Sequence, residues 1–152
     1  MAYGGFWRRL VAACVDALVL FFPAATLRLL LNLDPVGFDP RSSVSFVAIG
    51  GELVLDWLYA ALLIGSSARA TLGQRIMDLE VSGVRGERVS FARASWRYFA
   101  QVFTVLTFGV GHLMQLFTPR RQTLHDLLSG TVVVRTRSEL AATPVPVVRS
   151  AP

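Results

Sequence analysis

The chain has 152 residues, of which 53% are hydrophobic and only 16% charged, and its mean hydropathy is +0.52. Soluble domains carry about 25% charged residues, and a chain this short has too few charges to cover so much apolar side chain in water. A soluble globular enzyme and a disordered chain are both excluded as starting readings, and lipid is the expected solvent. The net charge is +5, and all 15 basic residues are Arg. Such a balance fits nucleic acid or an anionic membrane surface; the hydropathy favours the membrane. Cys14 is the single Cys, so no intrachain disulfide can form.

A spanning helix needs about 20 largely apolar residues. Three windows qualify: 10–33, with Asp16 and Arg28 as its charges; 44–66, with Glu52 and Asp56; and 98–118, with only His112. The first window reads as a span and not a secretory signal, because Asp16 sits in its centre and the later windows are as apolar. Val11–Cys14 looks like a lipoprotein cleavage box but begins two residues after Arg9, with no apolar segment before it.

Arg placement sets the expected orientation. Arg8 and Arg9 precede the first span, while six Arg occupy the 67–97 loop, so both are expected in the cytoplasm. If 98–118 crosses, eight Arg lie inside and seven outside; if it turns back, thirteen lie inside and two, Arg28 and Arg41, outside. The second distribution fits the rule better. Thr107–Gly111 offers a place to turn, giving two arms of roughly 15 Å each. A straight span with small residues at a helix contact is the alternative.

The long loop has its own signals. Residues 79–90 alternate around Gly83 and Gly86 and predict a two-stranded hairpin. Residues 91–97 predict an interfacial helix with Phe91, Ala94 and Ser95 on one face and Arg93 and Arg97 on another. Gln122–Leu128 predicts a short amphipathic helix, and 130–134 a strand that could pair with the hairpin. The fold class expected is therefore an all-α membrane protein with three hydrophobic segments, the third a candidate re-entrant helical hairpin, and a small cytoplasmic β-hairpin. Residues 135–152 are expected to form a disordered, Pro-rich tail.

Acids inside spans are costly and face the bundle interior. Asp16 lies two helical turns after Arg9, too far for a direct pair, so it needs a partner from another helix. Glu52 and Asp56 are one turn apart and share a face, where crowding would let one of them hold a proton. These acids, with Arg9 and His112 nearby, could line a proton or cation path. The bland reading is that Arg9–Asp126 and similar pairs lock helices together and bind lipid headgroups. His112 is expected to be a satisfied interior residue and His125 to be interfacial. No zinc spacing, nucleotide loop or nucleophile elbow occurs, so no enzyme activity, metal or cofactor is expected, and no nucleic acid partner.

Three motifs carry a resemblance. They are Gly5-Phe6-Trp7-Arg8-Arg9-Leu10 with Cys14-Val15-Asp16, Ala70-Thr71-Leu72-Gly73-Gln74-Arg75, and Arg121-Gln122-Thr123-Leu124-His125-Asp126 running on to Gly130-Thr131-Val132. Together they resemble the RDD family of bacterial membrane proteins over residues 4–134. The resemblance implies a membrane domain over that range, an inner-membrane location, and a triad of Arg9, Asp16 and Asp126. It marks Thr71, Gly73, Arg75, Gly130 and Thr131 as a cytoplasmic motif, and Arg93 and Arg97 as common basic positions. Ala70 stands where Gly is usual and Gln74 where Lys is usual. Glu52 and Asp56 lie outside the motifs. The implied function is transporter-like or proton- and ion-handling, with a homo-oligomer or membrane partner expected for so small a chain. The alternative is a non-catalytic scaffold that binds partner proteins and anionic lipid headgroups.

Overall fold

The computed structural model describes residues 3–34, 37, 42–106 and 110–136. The elements run α1 (Phe6–Leu30), α2 (Ser43–Gly65), α3 (Leu72–Ile76), β1 (Leu79–Gly83), α4 (Phe91–Leu106), α5 (Val110–Leu113), a single 3-10 turn (Met114–Leu116), α6 (Leu124–Ser129) and β2 (Thr131–Arg135). The expected tail lies, from 137 onward, outside the described residues.

Among the described residues two helices, α1 and α2, are long and apolar enough to cross a membrane. At about 1.5 Å per residue, their 25 and 23 residues exceed the roughly 30 Å of a hydrocarbon core. Their outer faces are open: Leu18, Phe22, Leu30 and Val47 are all more than 60% exposed. That distribution suits lipid and not water.

The third window is not one helix. Residues from Phe91 to Leu106 form α4, joining the expected interfacial helix to the start of the window. After it come only the four-residue α5 and the 3-10 turn. A methyl group on Gly111 would lie 2.5 Å from Thr104 Cγ2 and 2.8 Å from Leu124 Cβ, so α5 packs directly beside α4 and α6. The expected turn itself, at 107–109, falls outside the described residues.

A cap covers one end of the two long helices. β1 and β2 pair antiparallel, with Val81 opposite Val133. Gly4 N donates to Val133 O at 2.9 Å and Tyr3 bridges to Val134, so the start of the chain lies along the sheet. The hairpin expected within 79–90 does not form, because its second arm never becomes a strand. Gly86 turns the chain at φ 84, and Gly83 N and Ser82 Oγ both bond Glu87 O, which closes a tight loop. Ser90 Oγ then accepts from Arg93 N and starts α4. β1 takes its partner from 131–135 instead. Beneath the sheet Leu79, Val81, Val89 and Val133 pack with Ala12 of α1 and Ala61 of α2. This apolar joint fixes the cap to the spans.

Candidate functional site

Two carboxylates organise the interior. Asp126 is fully buried at the first turn of α6, where its Oδ2 accepts from Thr123 N at 3.2 Å. Arg9 Nη1 donates to the same oxygen at 2.6 Å, and Arg97 Nη2 lies 2.7 Å from Oδ1. Arg9 Nη2 also holds Arg121 O at 2.8 Å. One carboxylate therefore joins α1, α4 and α6. Burial alone would raise its pKa, but Arg97 and Arg9 outweigh burial and hold it below the usual carboxylate range.

Sequence reasoning placed Arg97 on a solvated basic face. The structure buries it, at 4% exposure, because α6 brings it a counter-charge that nothing local to 91–97 announces. His125 is likewise buried and not interfacial. Its ring packs edge-on against His112 at 5.2 Å, and its Nε2 lies 2.9 Å from Thr123 Oγ1. Burial, then the charge of Arg97, pushes the His125 pKa down to about 3, so the ring is neutral near pH 7.

Asp16 forms the second centre, and no cation pairs with it among the described residues. Tyr59 OH of α2 donates to Oδ1 at 2.6 Å, Gly73 N to the same oxygen at 2.8 Å, and Thr71 Oγ1 to Oδ2 at 2.6 Å. The Tyr59 hydroxyl also accepts from Leu72 N at 3.1 Å. These contacts explain the Thr71–Gly73 motif. Thr71 caps α3 while bonding Asp16, and Gln74 Oε1 returns the cap by accepting from Thr71 N. Gly73 is required because a methyl group there would sit 2.1 Å from Ala12 O. The two departures from the family pattern are accommodated. Gln74 closes the capping box, and Arg69 at φ 50 takes the turn while Ala70 is buried.

The remaining residues separate. Arg28 binds Glu52 through two bonds, Nε–Oε1 at 2.5 Å and Nη2–Oε2 at 3.1 Å, and also holds Gly37 O. Glu52 is thus tied to α1 at the end away from the cap, while Asp56, one turn on, lines the interior cavity. Arg75 is exposed at the end of α3. Gly130 ends α6 at φ 61, a left-handed position that favours Gly. The Thr131 hydroxyl lies 2.9 Å from Ser129 Oγ and its carbonyl accepts from Gln122 Nε2 at 2.8 Å. Arg93 pairs with Glu87 on the surface at 2.8 Å.

Both centres open on one cavity of about 550 Å³. Asp16 and Asp56 come from the spans, Arg9 from the start of α1, Arg97 from α4, and His112, His125 and Gln115 from the segment after α4. Buried polar atoms without a hydrogen bond gather around it: Arg9 Nε, Arg97 Nε, Gln115 Oε1 and His125 Nδ1. No cluster of three His, Cys, Asp or Glu among the described residues could hold a metal. Tyr59 and Gln115 were missed from the sequence. A hydroxyl or amide inside an apolar window was the available signal.

A family model described as the RDD family matches residues 3–130. The chain is 28% identical over 145 residues to the "Uncharacterized protein YxaI" of Bacillus subtilis (strain 168), covering 86% of this chain and 95% of that protein. It is 29% identical over 136 residues to the "Uncharacterized protein YckC" of the same organism, covering 85% and 82%. No solved structure matches it. The same motifs that hold Asp16 and Asp126 lie within the matched range, and the chain belongs to the RDD family.

Proposed function

We propose that the protein is a multi-pass, transporter-like component of the bacterial cytoplasmic membrane that handles protons or small cations through the cavity beside Asp16. One observation carries this reading: acids from both spans, Asp16 and Asp56, line a single cavity. Ionisable groups at that depth mark solute and proton paths. Among the described residues Asp16 is held by the neutral donors Tyr59, Thr71 and Gly73. The N-terminus and cap face the cytoplasm in this reading, and 98–118 re-enters on the same side. The Arg distribution and the packing of Gly111 on Thr104 support that arrangement. A chain this small would complete a path as a homo-oligomer or with a membrane partner.

In proteoliposomes Asp16→Asn is expected to abolish a flux driven by a pH or cation gradient while the protein stays folded. Undiminished flux in a folded Asp16→Asn protein sinks the proposal. Single Cys probes at Asp39 and Ser138 in intact cells test the topology: labelling at 39 alone is expected, and external labelling at 138 overturns the re-entrant reading.

A second reading, a scaffold on anionic lipid, is favoured by the surface near the start of α1. Trp7 and Phe117 are 73% and 85% exposed there, with Arg120 and Arg121 close in sequence. Aromatic and basic residues together suit a headgroup layer. Retention on vesicles containing phosphatidylglycerol, lost in Arg120→Gln/Arg121→Gln, would separate this surface role from flux.

A further inference from the structure

The cavity has two electrical poles. At one, Arg9 and Arg97 share the single carboxylate of Asp126, which leaves a surplus guanidinium charge. Each of these Arg also keeps a buried Nε–H without an acceptor. Asp16 does not supply one; its oxygens bond Tyr59, Thr71 and Gly73. At the other pole Asp56 of α2 lines the cavity half-buried, and no hydrogen bond or ion pair reaches it among the described residues. Ala13, Ala17 and Ala60 add apolar lining.

A surplus cation and a lone carboxylate inside one void each carry a desolvation cost that a counter-charge removes. An anion alone would satisfy the Arg pole and leave Asp56 unpaired. A cation alone would do the reverse. A solute with both charges neutralises both poles and leaves the net charge of the site unchanged. The volume, about 550 Å³, lies in the ordinary range for small-molecule sites, roughly 300–1,000 Å³.

We propose that this cavity binds a small zwitterion, a carboxylate and an ammonium joined by a short methylene chain, with the carboxylate on Arg9 and Arg97 and the ammonium on Asp56. The proposal deepens the transport reading and rests on it for the identity of the site.

The test uses the full chain in nanodiscs and calorimetric binding. Glycine, β-alanine and γ-aminobutyrate are each compared with the acid lacking the amine, and with butylamine. At least one amino acid is expected to bind about tenfold or more tighter than its deaminated partner, the value of one charge-assisted hydrogen bond. Asp56→Asn is expected to erase that preference and spare the binding of the plain acid. Arg97→Lys is expected to weaken both. The wild-type comparison stands even if a variant fails to fold. Equal binding of amino acid and plain acid overturns the zwitterion in favour of an anion site. Tightest binding of butylamine overturns it in favour of a cation site, and no binding by any probe overturns it outright. A pH-driven flux that persists in that last case leaves the transport reading standing while the zwitterion falls.

Discussion

Asp126, fully buried, and Asp16, half-buried, are two acids solved in opposite ways. Asp126 is met by two full positive charges, Asp16 by two hydroxyls and one backbone N–H. Charge against charge in low dielectric fixes the ionised form and ties three helices to it. Dipoles against a charge hold the carboxylate in place without a counter-ion. One centre is therefore held by ion pairs and the other by neutral hydrogen-bond donors. The family triad, read as one unit in the sequence, is two devices that share a cavity.

The largest expected effect breaks the first device. Asp126→Asn leaves Arg9 and Arg97 buried without a counter-charge and should cost about 3–5 kcal/mol. A detergent-solubilised variant should melt far below the wild type or fail to accumulate. A melting temperature within a degree or two of the wild type would show that the two Arg find other partners. Next comes Gly73→Ala. The added methyl group meets Ala12 O at 2.1 Å, so α3 must lift from α1 and the Gly73 N bond to Asp16 is lost. A loss of about 1–3 kcal/mol is expected, from one overpacked contact and one broken bond to a charged group. Chemical denaturation of the purified protein reads it. Gly73→Ser should be no better, which separates sterics from polarity.

Asp16→Asn sharpens the comparison from the other side. The amide keeps the shape and removes the charge, so stability should fall by less than for Asp126→Asn, about 1–2 kcal/mol. A drop equal to that of Asp126→Asn would erase the distinction between the two centres.

The pH dependence of stability gives a further check. His125 has a folded pKa of about 3 against an ordinary 6.5, so it is neutral in the fold and protonated more readily when unfolded. Its contribution is complete above about pH 6.5 and is lost as pH falls toward 3, at up to about 1.4 kcal/mol per pH unit. Asp126, also depressed, adds to the loss only below its ordinary value near 3.8. Thermal melts between pH 7 and pH 4 should slope downward, and His125→Gln should flatten that slope. The smallest effect belongs to the surface: Glu87→Gln removes the exposed contact to Arg93 and should leave the melting temperature unchanged.

What the sequence made legible follows from where each constraint is written. The spans could be read because lipid demands a long local run of apolar residues, and 10–33 and 44–66 supply it; the helices lie within a few residues of both windows. The strand at 79–83 was legible, but its partner lies some fifty residues on, so a nearby hairpin was the wrong inference. Arg97 read as one face of an interfacial helix because its burial depends on Asp126, and Tyr59 drew no reading because its polar partner is on another helix. Glu52 and Asp56 share a helical face in one dimension, yet Arg28 takes only the first. Periodicity describes a helix by itself; each of these misses required knowing which helix came next to it.

The separation of Arg9 from Asp126 along the chain, 117 residues, also has a consequence in time. Arg9 is made near the start of synthesis and its acid near the end. At about 5–20 residues per second the gap is roughly ten seconds. Through that interval the first helix must dwell in the translocation machinery or the membrane edge with its guanidinium still hydrated or on a lipid phosphate. The same holds for Gly4, whose acceptor Val133 emerges later still. The ion pair thus closes late in biogenesis, and a chain cut short before α6 would be left with the Arg9 charge unmet by its acid.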